Sequence, residues 1–118
     1  IFGVECLMHN EGPKERQVQR VALCGGSGDF LLGEAVRQGA DVFLTGEMGY
    51  HHYFGHASDL WLGVLGHYQS ERFTLSQMRD VLAQALPELP VFLATHPTNP
   101  IRYMHLPEMA ARNQKEQQ

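Results

Sequence analysis

Apolar residues fall in short blocks, each closed by glycine, proline or a polar cluster. Val18 to Cys24 alternates at its start and is wholly apolar at its end, which predicts a strand running into Gly25-Gly26-Ser27-Gly28. In Phe30 to Gln38, Leu31/Ala35 and Leu32/Val36 sit four apart, a helical flank with Ser27 or Asp29 as its cap and Gly39 as its stop. Val42 to Thr45 predicts a second buried strand, after which Gly46-Glu47 leads into a histidine-rich helical stretch from Met48 to Ala57. Trp61 to Leu65 predicts a third strand ending at Gly66-His67, and residues 69–72 a turn of helix. Thr74 then caps an amphipathic helix with Leu75, Met78, Leu82 and Leu86 on one face, ended by Pro87 and Pro90. Val91 to Thr95 predicts a fourth strand and Ile101 to His105 a fifth.

Strand and helix alternate about every 20 residues, the rhythm of βαβ crossovers. The expected fold is α/β, a largely parallel or mixed sheet of four to five strands with crossover helices. Residues 1–16, with the turn chemistry of Asn10-Glu11-Gly12-Pro13-Lys14, read as a linker or exit strand. Residues 17–109 form the α/β unit, and 110–118 are a polar, fraying tail. The chain starts at Ile1 inside an apolar stretch, which reads as a piece of a longer protein.

Length and composition narrow the function. A chain of 118 residues suits one compact domain. The net charge is −4 and the nine basic residues are scattered, so nucleic acid is not an expected partner. No apolar run approaches the ~20 residues that span a bilayer, so no membrane partner is expected either. The first residues lack the basic start and cleavage site of a signal peptide. Cys6 and Cys24 are too few for a disulfide framework and read as reduced thiols, which predicts a cytoplasmic protein.

Three places can carry chemistry. His67 follows the carboxyl end of a buried strand, where α/β sheets place ligand sites, and Glu71 comes four residues later. On a helical turn the two share a face and can meet one cation, although a solvated His–Glu pair is the commoner outcome of that spacing. Glu47 and His51 end the second strand and face the same crevice. Glu47 suits a general acid or base and His51 an orienting partner, or Glu47 simply favours a helix start. His52 and His56, also four apart, read as an exposed pair. Cys24-Gly25-Gly26-Ser27-Gly28-Asp29 lacks the lysine and spacing of nucleotide-binding loops, and suits a turn that lets backbone pass close to a metal site.

Val21-Ala22-Leu23-Cys24-Gly25-Gly26-Ser27-Gly28, Ala40-Asp41-Val42-Phe43-Leu44-Thr45-Gly46-Glu47 with Tyr50-His51, Gly66-His67-Tyr68-Gln69-Ser70-Glu71 and Thr98-Asn99-Pro100 occur in one order and spacing. Together they resemble the NGG-one-interacting-factor-three-like family, whose members carry the label GTP cyclohydrolase type 2 homologue. The resemblance implies two related α/β halves, toroidal hexamers and a dinuclear metal centre between the halves. It implies that the amino-terminal half supplies two histidines and an aspartate, and that His67 and Glu71 are the carboxy-terminal half's ligands. This chain matches that carboxy-terminal half only, with residues 1–16 as the exit from an inserted domain. It departs from the family pattern at Gly49, where a basic residue is common, and at His52, where an acidic one is.

The implied function is a metal-dependent hydrolase acting on a nucleotide or phosphoester, with two divalent ions (Zn, Mn or Fe), metal ligands His67 and Glu71, and Glu47 or His51 moving protons. The competing expectation is a non-catalytic, ring-forming metal-binding or partner-docking protein. Both predict a homo-oligomer.

Overall fold

The computed structural model describes residues 1–104. Four strands form one mixed sheet: β1 (Met8–His9), β2 (Val21–Ser27), β3 (Val42–Glu47) and β4 (Trp61–Val64), in the order β1-β4-β3-β2. β2, β3 and β4 are parallel, and β1 runs antiparallel to β4. The helices are α1 (Leu32–Arg37), α2 (His67–Glu71) and α3 (Thr74–Ala85). The α/β class and the mixed sheet agree with the reading of the sequence.

The core lies on one face of the sheet. Alternate residues of a strand point to opposite faces, and Phe43 and Leu62 meet Leu32 and Ala35 of α1, with Ala40 and Leu60 closing the cluster. The other face stays open: Val21 and Leu23 are exposed, and Leu7, Val42, Leu44 and Trp61 line an apolar groove of about 400 Å³.

β2 begins three residues later than the pattern of Val18 to Cys24 predicts. The amides of Gln19 and Arg20 each donate to Asp41 Oδ2 at 2.8 Å, and Arg16 Nε lies 2.6 Å from Asp41 Oδ1. A buried carboxylate thus takes the donors that a ladder would have used. The two amide bonds, first that of Gln19, hold the Asp41 carboxyl below its ordinary range, with Arg16 adding to the effect. The sign follows from linkage: the unfolded chain takes up this proton first, so the stabilisation is complete above the ordinary carboxylate value and is lost as pH falls through the lower, folded one. Thermal melts from about pH 7 to about pH 3 should therefore show a smaller acid-induced loss for Asp41→Asn than for the native chain. Parallel acid profiles for the two proteins would remove Asp41 from this role.

Several predicted elements differ. The segment Phe30 to Gln38 is a 3-10 turn (Asp29–Leu31) leading into α1, without a side-chain cap, and Ser27 ends β2 instead. The helix expected over Met48 to Ala57 is only a 3-10 turn at Tyr50–Tyr53. Gly49 before it is extended, and Gly55 adopts φ +86°, which only glycine takes readily. Between them, Tyr50 packs edge-on against His51 and Phe54 rather than stacking into a helical flank.

No strand forms at Val91 to Thr95 or over 101–104; His105 and the tail 110–118 lie outside the described residues. An extended run needs a neighbouring ladder for its backbone groups, and Phe92 stays 86% exposed with none beside it. Pro90, Pro97 and Pro100 also remove three donors. In α3, Thr74 is the first helical residue, with Phe73 before it. The apolar face is formed as predicted, but Leu75, Met78, Leu82 and Leu86 are all exposed, so it does not pack on the sheet.

Candidate functional site

The carboxyl ends of β3 and β4 meet at one edge of the sheet. Thr45 pairs with Val64, so Glu47, at the end of β3, lies beside Gly66 and the start of α2. The Gly66 amide donates to the Gly46 carbonyl at 3.1 Å, which ties the two chain ends together. Gly66 has φ +96°, and this left-handed turn swings His67 over the end of β3.

His67 begins α2 and Glu71 ends it, so the expected pair one helical turn apart is formed. His67 Nε2 lies 3.1 Å from Glu71 Oε2, and His67 Nδ1 lies 3.1 Å from Glu47 Oε1. All three side chains are about half exposed. They border a cleft of about 630 Å³ that Arg72, Leu75, Thr98, Asn99, Pro100 and Ile101 also line. That size is typical of a small-molecule site.

His51 is not brought to this cluster. It sits in the 3-10 turn with its ring 5.6 Å from that of Tyr50. His52 and His56 each face a separate carboxylate, Asp29 at 3.6 Å and Asp59 at 3.2 Å, and do not act as a pair.

The glycine turn passes beside the cluster. Gly26 has φ +67°, and a Cβ placed on it would stand 2.5 Å from Glu71 Oε1 and 3.5 Å from His67 Cε1. Its amide donates to Ser70 Oγ at 3.0 Å, while the Ser70 hydroxyl donates to the His67 carbonyl at 2.8 Å. Thr45, fully buried, accepts from the Gly28 amide at 2.9 Å and donates to the Gly26 carbonyl at 3.1 Å. Reading the sequence missed Ser70 and Thr45 as supports. Ser70 sat inside the block quoted for its histidine and glutamate, and Thr45 looked like one more strand residue.

The donor set fits a divalent cation in part. Two donors 3.1 Å apart, each about 2.1 Å from a shared ion, subtend about 95° there, within reach of octahedral and distorted tetrahedral coordination. Imidazole and carboxylate suit Zn, Mn or Fe. A neutral imidazole carries one N–H, yet both its nitrogens face acceptor-only carboxylates. Among the described residues, no group of three or more His, Cys, Asp and Glu side chains is arranged to hold an ion. His67 and Glu71 are a partial ligand set that needs donors from elsewhere.

The chain has relatives among known proteins. A protein of Archaeoglobus fulgidus named GTP cyclohydrolase 1 type 2 homolog is 36% identical over 86 residues, covering 72% of this chain and 35% of its own length. One of the same name from Streptococcus pneumoniae is 33% identical over 107 residues, covering 82% of this chain and 40% of its own. The chain thus spans two fifths or less of these relatives. The crystal structure of a Staphylococcus aureus hypothetical protein superposes with a TM-score of 0.73 at 25% identity, over 87% of this chain and 35% of that one. Residues 2–100 match the family described as Duf34/NIF3 (NGG1p interacting factor 3), and the chain belongs to that family.

Proposed function

We propose that this chain supplies part of a two-metal centre, with His67 and Glu71 as its ligands, in a metal-dependent hydrolase acting on a nucleotide or phosphoester. The observation that carries the reading is the 3.1 Å approach of His67 Nε2 and Glu71 Oε2 at the carboxyl edge of a parallel sheet, open to a cleft. When bound, such a pair of ions lowers the pKa of a water and neutralises charge on phosphate oxygens. The chain's own residues bind and orient. His67 and Glu71 project from one helical face, and Leu75, Pro100 and Ile101 give a dry surface for an apolar body. The names of the relatives support a nucleotide or related heterocycle as substrate class.

A second reading is a ring-forming, non-catalytic metal-binding or partner-docking protein. The open sheet face favours it, since parallel strands are ordinarily covered on both sides. Both readings include a homo-oligomer, proposed as a hexamer for the whole polypeptide.

One experiment tests both. The whole polypeptide is loaded with zinc, manganese or iron, analysed for metal and for mass by sedimentation, and screened against nucleotides and phosphoesters. His67→Ala is expected to lose metal by more than the about 10–100-fold typical of an outer-shell partner, and turnover with it. Metal binding and rings without turnover would select the second reading. Unchanged metal content in His67→Ala would end both.

A further inference from the structure

We infer that Glu47 is a positioning residue: when a cation takes Nε2 of His67, the Glu47 carboxylate, 3.1 Å from Nδ1, accepts the Nδ1–H and so orients the ring, with Glu71 beside it. The inference rests on the metal reading above and adds a role for a residue whose sequence context suggested proton transfer. Its basis is the paired 3.1 Å contacts on the two nitrogens of one ring. A carboxylate can only accept, so a proton on Nδ1 satisfies Glu47 and leaves the Nε2 lone pair for a metal. Metal-ligating histidines ordinarily use their second nitrogen in this way, and the outer partner fixes both tautomer and ring orientation.

The backbone places the two residues side by side. Glu47 is the last residue of β3, and the Gly66 amide bonded to the Gly46 carbonyl holds the start of α2 against that strand end. Gly46 has no room for a side chain, because a Cβ there would collide with Ser70 Oγ and stand 2.7 Å from the Gly26 carbonyl oxygen. Both backbone anchors are held, so the sheet edge keeps the Glu47 and His67 side chains within reach of each other. The Glu47 side chain is half exposed and contacts no charged partner other than His67 among the described residues, so its replacement should spare the fold.

The test uses zinc and the whole polypeptide, with affinities from competition against a chromophoric chelator. Long-range 1H–15N spectra of the zinc-loaded protein report which nitrogen of His67 is ligated. Native protein should show ligation through Nε2 and a slowly exchanging Nδ1 proton. Glu47→Ala should bind zinc about 10–100-fold more weakly and lose that slow proton, whereas Glu47→Gln, which retains an amide oxygen acceptor, should recover most of both. A Glu47→Ala protein with zinc affinity within about twofold of native, while His67→Ala loses zinc, would overturn the positioning role and leave the metal reading intact. Ligation through Nδ1, with Glu47→Ala as damaging as His67→Ala, would instead make Glu47 a ligand. If His67→Ala binds zinc as native does, or the native protein binds none, the metal reading itself falls and takes this role with it.

Discussion

Replacing Phe43 by alanine is expected to cost about 3–5 kcal/mol of stability. Phe43 is 1% exposed and sits in the middle of β3, paired with Ala22 on one side and Leu62 on the other. Its ring fills the space between the sheet and Leu32 and Ala35 of α1, which a methyl group leaves as a cavity. The neighbours cannot close that cavity easily, because both flanking strands hold their register by backbone ladders. Domains are stable by only about 5–15 kcal/mol, so a large part of the margin disappears. Urea denaturation should show a lower midpoint with an unchanged slope. Leu23→Ala is the control: Leu23 is equally apolar but lies 61% exposed on the open face, and its truncation should stay near about 0.5 kcal/mol. Equal midpoint shifts for the two variants would mean that the core is not where the sheet and α1 meet.

The contrast between Phe43 and Leu23 also marks what can be read from sequence. Both sit in strands with the pattern of complete burial, and the pattern cannot say that one face of the sheet lacks a cover. The same limit explains α3, whose apolar spacing is right while its partner is not among the described residues. It explains Val91 to Thr95 too, which has strand composition and no ladder. Periodicity reports what a segment is suited to bury, and a neighbour decides whether it does. The histidine-rich segment failed for a local reason: a single glycine at φ +86° and an extended Gly49 outweigh any helical spacing between them.

The candidate site was more legible because it depends on strand ends. A parallel sheet aligns the carboxyl ends of its strands, so residues just beyond Thr45 and Val64 had to be neighbours once those strands paired. That brought Glu47 and His67 together from sequence logic alone, and the helical turn brought Glu71. What stayed hidden was direction. The sequence placed Glu47 near the chemistry but could not show its carboxylate facing His67 Nδ1, nor that His51 turns to Tyr50. Chi angles and a 3-10 turn set those outcomes, and no spacing rule encodes them.

Gly26 gives the sharpest local expectation. Alanine there is expected to cost about 1–2 kcal/mol, since φ +67° is the left-handed region where a Cβ meets the following carbonyl. Its second effect falls on the site. The added Cβ would lie 2.5 Å from Glu71 Oε1, the free end of a flexible side chain, so the carboxylate rotates away and the backbone stays. A crystal structure of Gly26→Ala should then show Glu71 withdrawn from His67 Nε2 with α2 and β2 unmoved. Zinc affinity of the whole polypeptide should fall by at least the about 10–100-fold of a lost outer contact, because here an actual ligand is displaced. The two effects separate in a double-mutant cycle with Glu71→Ala. In that background the backbone cost remains, while the penalty on metal binding vanishes, since the side chain that the added methyl would push is gone. An equal loss of zinc affinity with and without Glu71 would place the damage in the turn itself and not in the carboxylate beside it.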